Sequence, residues 1–134
     1  LPEMLKRSRC RLKISVETLM MIDSLEMNSS HINNIISKCQ ECLSNKIVIT
    51  HGTDRMVSTA KALTKAQINN KTIILTGAMI PYEFGSSSDG FFNLGCALSY
   101  VQTLQSGVYI TMQGQYFKWD EVIKNSKKGF FEKI

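Results

Sequence analysis

Hydrophobic positions along the chain change period several times, and each change predicts an element. In "CRLKISVETLMMI" (10–22), Leu12, Ile14 and Val16 alternate with polar residues, which predicts a strand with one buried face. "MNSSHINNIISKCQECL" (27–43) switches to helical spacing, with Ile32, Ile35, Ile36, Cys39 and Leu43 on one stripe behind polar residues able to cap its start. "KIVIT" (46–50) is a short β-branched run, expected to be a central strand covered on both faces. "RMVSTAKALTKAQI" (55–68) is helical again, with Met56, Val57, Ala60 and Leu63 along one side. A second buried strand, "KTIILTG" (71–77), leads into a loop, "AMIPYEFGSSSDG" (78–90), marked by Pro, Gly and three serines. "FFNLGCALSYVQTL" (91–104) is predicted to be a helix with Ser88 or Asp89 as its N-cap. "GVYITM" (107–112) is a third buried strand, and "QGQ" (113–115) predicts a hairpin turn into "YFKW" (116–119). Tyr116, Phe117 and Trp119 are expected to pack that hairpin, and Phe91, Phe92 and Met112 to lie in the core.

Strands that alternate with helices predict a mostly parallel sheet with helices on both faces. The fold class is therefore α/β: a doubly wound, flavodoxin-like or Rossmann-like three-layer α/β/α domain with a C-terminal hairpin. In such sheets ligands bind beyond the carboxyl ends of the strands. The segments predicted to reach that rim are "DSLEM" (23–27), "HGTDRM" (51–56), "TGAMIP" (76–81) and the stretch after "GVYITM".

Composition changes this picture little. The 134 residues are 43% hydrophobic and 20% charged, which fits one ordinary domain. No apolar run approaches the ~18 residues a membrane span needs. The net charge of +5 is concentrated at the two ends, in "KRSRCRLK" (6–13) and "KNSKKGFFEK" (124–133). Without interleaved aromatics or a binding module, those ends read as solvated surface rather than a nucleic-acid interface. Cys39 and Cys42 form a C-x-x-C, but no second Cys or His pair follows at ligand spacing. The four cysteines, Cys10, Cys39, Cys42 and Cys96, read as reduced thiols of a cytoplasmic protein, with no metal site. The chain opens Leu-Pro-Glu-Met, without initiator Met or signal segment, and so reads as a fragment.

The chemistry is expected in "THGTDRM" (50–56). Gly52 permits a tight exit from the strand, and Thr53 and Asp54 are expected in the first turn of the next helix, where backbone N–H groups favour negative charge. Both are also ordinary capping residues. A hydroxyl beside a carboxylate gains chemical meaning only when a base reaches the hydroxyl. His51 should point away from that side. A shielded lysine could serve, but spacing alone does not choose among the lysines.

"THGTDRM", "LTGAMIP" and "SSSDGFFNLGCAL" occur in that order and together resemble the amino-terminal domain of the L-asparaginase family (asparaginase/glutaminase type), from about residue 20 onward. The resemblance implies hydrolysis of the side-chain amide of asparagine to aspartate and ammonia by a threonine nucleophile, without metal or organic cofactor. By position, Thr53 and Asp54 match the second catalytic threonine and its neighbouring aspartate. "EVIKNS" (121–126) matches the segment supplying the catalytic lysine, Lys124. Ser24, in "DSLEM", and Asp54 would hold the substrate's α-amino and α-carboxylate groups. Ala78 would accept the amide nitrogen through its carbonyl, and the Gly52 and Thr53 backbone would polarise the scissile carbonyl. Family members commonly form homo-oligomers.

The departures are specific. The family's first signature, a Thr-Gly-Gly-Thr-Ile loop with another essential threonine, does not occur, since no glycine precedes Gly52. Leu25 replaces a polar residue beside the substrate serine. Arg55 stands where threonine is usual, and Ile80 where arginine is frequent. The smaller C-terminal domain is absent from the 134 residues. The expectation is a chain, 1–134, that is inactive unless the missing loop lies upstream. The alternative is a non-catalytic amino-acid-binding, amide-binding or interaction module that keeps the fold. "GSSSDG" (85–90) has neither the dinucleotide fingerprint nor the Walker pattern, so a phosphate-binding role is disfavoured.

Overall fold

Three apolar runs build the centre of the fold, whose computed structural model describes residues 1–81 and 88–134. They are β1 (Lys46–Thr50), β2 (Thr72–Thr76) and β3 (Gly107–Met112), paired in parallel with Val48 opposite Ile74 and Ile74 opposite Tyr109. A two-residue turn with Gln113 at φ 57° and Gly114 at φ 82° returns the chain into β4 (Gln115–Phe117), antiparallel to β3. Two positive φ values in succession match the twist of the flanking strands. Among the described residues the sheet order is β1-β2-β3-β4. Alternation along the strands sends Ile73, Leu75, Ile110 and Met112 to one face, and Ile74 and Tyr109 to the other. Full burial of each such aliphatic side chain stabilises by about 1.5–3 kcal/mol.

Helix α2 (Ser29–Glu41) and helix α3 (Met56–Lys65) form a layer on the first face, through Ile35, Cys39, Met56, Ala60 and Leu63. Helix α4 (Gly90–Thr103) covers the second, through Ala97 and Val101. The α/β three-layer class and the β3–β4 hairpin are as the patterning predicted. A short helix, α1 (Pro2–Arg7), buries Met4, and a single 3₁₀ turn, Ser24–Glu26, precedes α2. Beyond β4 a second hairpin, β5 (Val122–Asn125) with β6 (Phe130–Lys133), anchors itself to the first face by burying Val122 and Phe131.

Several expectations are corrected. Residues 10–22 form no strand, and Leu12, Ile14 and Val16 are exposed; only Leu19, Met20 and Ile22 reach the core. Alternation marks a strand only where a neighbour satisfies the backbone, and among the described residues no strand pairs with this segment. For the same reason β1 is an edge strand, with Ile47, Val48 and Ile49 half-buried rather than covered on both faces. Leu43 lies beyond the end of α2 and is fully exposed. Phe92 is 61% exposed on the outer side of α4, whereas Met112 is core as expected. The stretch "GSSSDG" (85–90) falls partly on residues 82–87, outside the described residues. Among the described residues no helix is long and apolar enough to cross a membrane.

The cysteines are free thiols. Burial, followed by the neighbouring Cys42, pushes the Cys39 thiol up to about 11, so it is a packing residue rather than a nucleophile. Lys71 Nζ donates to the carbonyls of Cys39 and Cys42, closing the exposed end of α2.

Candidate active site

The carboxyl ends of β1 and β2 are drawn together by backbone. His51 N–H donates to the Thr76 carbonyl at 2.8 Å, and a Cβ on Gly77 would sit 2.2 Å from the His51 carbonyl oxygen. Only glycine allows that approach. Gly52 lies against Ser24 in the same way, since its Cβ would meet Ser24 Oγ at 2.7 Å. Ser24 is 2% exposed, and its hydroxyl has no hydrogen-bond partner among the described residues. A cleft of about 300 Å³ opens here, lined by Thr50, His51, Gly52, Gly77, Ala78 and, from α1, Met4.

Thr53 and Asp54 occupy the turn before α3, which starts at Met56 with Arg55 as N-cap residue. They are not in the first helical turn, and neither caps the helix. Their side chains are engaged elsewhere. Lys124 Nζ donates to Thr53 Oγ1 at 2.8 Å and to Asp54 Oδ1 at 2.6 Å. The lysine side chain is 17% exposed and the aspartate 39%. The short ammonium–carboxylate bond is charge-assisted, but a pair this accessible to water adds little stability. Its consequence is positional: a cation stands on a hydroxyl 71 residues away in the chain.

Strand periodicity explains how Lys124 arrives there. In β5, Val122 is buried, Ile123 is exposed and Lys124 returns to the inner face. Gln113, from the β3–β4 turn, holds the hairpin by donating to the Phe131 carbonyl at 2.7 Å and accepting from the Phe131 N–H. The hairpin turn is closed by Gly129, at φ 77°, whose N–H donates to the Asn125 carbonyl at 2.9 Å.

His51 does not reach Thr53. Its ring pairs with the Gly52 carbonyl at 2.6 Å and with Thr59 Oγ1 at 2.9 Å. Burial lowers its pKa, with the Gly52 carbonyl opposing. Since that carbonyl can only accept, Nδ1 carries the proton and Nε2 accepts from Thr59. Of the residues singled out in the sequence, the structure thus brings Thr53, Asp54 and Lys124 together and sets Ser24 against Gly52. Ala78 lines the cleft together with Gly52, while Thr53, Asp54 and Lys124 do not line it. Among the described residues, no group of three or more His, Cys, Asp or Glu could hold a metal.

Sequence reasoning missed Asn93, which is fully buried and bonds the Gly77 carbonyl, Asp89 and the Gln113 N–H. An Asn inside an otherwise apolar helix was the available signal, because a buried amide needs partners.

Fold and site define a three-layer α/β domain with a lysine-bridged threonine and aspartate at the carboxyl rim of a parallel sheet. The family profile described as "Asparaginase, N-terminal" matches residues 1–131. A glutaminase-asparaginase of Pseudomonas fluorescens biotype A is 31% identical over 115 residues, covering 81% of this chain and 32% of that protein. A glutaminase-asparaginase of Acinetobacter glutaminasificans is 33% identical over 96 residues, 69% of this chain and 28% of that protein. The chain belongs to the asparaginase family. It spans about a third of the length of these curated relatives. The family match reaches further toward residue 1 than the resemblance read from the sequence, which ran from about residue 20 onward.

Proposed function

We propose that this chain forms the amino-terminal α/β domain of an amidohydrolase that releases ammonia from the side-chain amide of asparagine or glutamine. The single observation that carries the reading is Lys124 Nζ at 2.8 Å from Thr53 Oγ1 and 2.6 Å from Asp54 Oδ1. A threonine hydroxyl attacks the amide carbonyl, and Thr53, Lys124 and Asp54 relay its proton. Lys124 takes the proton, and Asp54 holds and balances its positive charge. The C–N bond then breaks, the proton leaves with ammonia, and water hydrolyses the acyl ester. Backbone N–H groups at Gly52 and Thr53 polarise the carbonyl. Ser24 and Asp54 hold the α-substituents, and Ala78 accepts from the amide nitrogen. Ser24's buried hydroxyl without a partner supports a ligand-facing role. On this reading the reaction uses neither metal nor organic cofactor, and the protein works as a homo-oligomer. Turnover also requires a Thr-Gly-Gly-Thr loop, which the 134 residues do not contain.

The test is ammonia release from asparagine and from glutamine by a form carrying such a loop, with Asp54→Ala beside it. Asp54→Ala should raise KM and lower kcat together, since it removes both the α-ammonium partner and the relay's counter-charge. An unchanged KM would remove Asp54 from substrate binding. A second reading, a binding module without turnover, is favoured by Met4 of α1 lining the cleft beside Gly52 and Ala78. It predicts calorimetric binding of asparagine or aspartate with no ammonia from any form.

A further inference from the structure

Asp89 occupies the N-cap position of α4 yet accepts no helix N–H. Its carboxylate is turned back onto the loop after β2. Oδ2 accepts from Met79 N–H at 3.1 Å, and Oδ1 accepts from Ile80 N–H at 3.0 Å. The fully buried Asn93 donates to the same Oδ2 at 3.0 Å and to the Gly77 carbonyl at 2.8 Å. Ser88 Oγ donates to the Ile80 carbonyl at 2.7 Å and accepts from Gly90 N–H at 3.0 Å, taking over the capping that Asp89 gives up. Residues 77–80, a loop without regular structure, are therefore held at four backbone groups by three side chains at the start of α4.

We propose that Asp89 and Asn93 are positioning residues that fix the direction of the Ala78 carbonyl. The peptide geometry carries this. In a trans peptide the carbonyl and the following N–H point in opposite directions, and no cis bond occurs among the described residues. With Met79 N–H aimed at Asp89, the Ala78 carbonyl is turned away from α4. With the Gly77 carbonyl aimed at Asn93, the preceding peptide is fixed as well. Ala78 lines the cleft with Gly52 and Gly77, so a rigid acceptor is presented where the amide nitrogen of a substrate would lie. This rests on the reading of Ala78 given above, and it adds what makes that acceptor preorganised rather than mobile.

The carboxylate is chemically required. Three donors converge on it, from Met79, Ile80 and Asn93. An Asn at position 89 would set an amide N–H against at least one of them, whereas for capping a helix Asn and Asp are equivalent. Asp89→Asn therefore separates a loop clamp from a helix cap. In the wild-type protein, amide hydrogen exchange read by NMR should show Met79 and Ile80 protected comparably to the β2 amides. In Asp89→Asn those two amides should exchange at least about tenfold faster, with the amides of α4 unchanged. The kcat for asparagine or glutamine should fall by about 100-fold, with KM within about twofold. Asp89→Asn with wild-type exchange at Met79 and Ile80, or with wild-type kcat, overturns the proposal. If Asp89→Asn does not fold, the wild-type exchange decides: rapid exchange at Met79 and Ile80 overturns it, and slow exchange upholds the clamp. Absence of turnover by a wild-type form carrying the nucleophile loop would sink the hydrolase reading and the catalytic half of this inference, and the exchange pattern would still test the clamp.

Discussion

The carboxyl rim of the sheet has two lips, after β1 and after β2, built on opposite plans. On the β1 side, the groups with reactive chemistry are side chains. They are partly exposed, and they are assembled from positions 70 and 71 residues apart. On the β2 side, the presented group is backbone, and it is held by the part-buried Asp89 and the buried Asn93, only 9 to 16 residues away. Partial water access limits what the first lip adds to stability, and its lysine is held by two side-chain hydrogen bonds. The second lip gains rigidity because its donors and acceptors are saturated within the protein. Reactivity and fixity are thus divided between the two strand ends.

The sharpest way to break this comparison is Lys124→Met. It should lower kcat by about 10²–10⁴-fold in a form carrying the nucleophile loop, while urea unfolding shifts by less than about 1 kcal/mol. Retained turnover would reassign the base. Asn93→Ala should do the reverse to stability. It leaves the Gly77 carbonyl and Gln113 N–H without their buried partner, and should cost about 2–4 kcal/mol. A loss as small as that of Lys124→Met would erase the distinction between the lips.

His51 sharpens the first lip more gently. Its pKa is lowered by burial, so the unfolded chain takes up a proton that the folded chain refuses. Stability should therefore be level above the ordinary imidazole value of 6.5 and fall as pH drops below it. His51→Asn, whose amide can keep the Gly52 bond, should flatten that part of the profile. The smallest effect is expected at Thr111→Val. The Thr111 hydroxyl is buried without a partner among the described residues, so its removal should change stability by no more than about 1 kcal/mol, in the stabilising direction. A clear destabilisation would show that the hydroxyl has a role.

The parallel sheet was legible because β1, β2 and β3 are β-branched runs bounded by turn residues, and burial alone decides such segments. Residues 10–22 carried an equally good alternation, but alternation says nothing about whether a neighbouring strand exists to pair with. The β5–β6 hairpin escaped notice because Ile123 and Lys124 follow one another among charged residues, and the buried anchors Val122 and Phe131 are nine positions apart. Thr53 and Asp54 stood out through the glycine beside them. Lys124 became visible only through family resemblance, since no spacing rule joins positions separated by most of the sheet. Asp89 was legible as a cap in identity and misleading in function: the same residue type serves a cap or a loop clamp, and only the direction of its carboxylate separates the two.

The account's central claim is that the ammonium of Lys124 is held on Thr53 and Asp54. Side-chain ¹⁵N NMR of the lysines tests this directly. The predicted result is a Lys124 ammonium signal resolved from those of solvent-exposed lysines and slowed in hydrogen exchange, which reverts to the exposed pattern in Thr53→Val and Asp54→Asn. A Lys124 signal averaged with the exposed lysines in the unmutated protein would contradict the account.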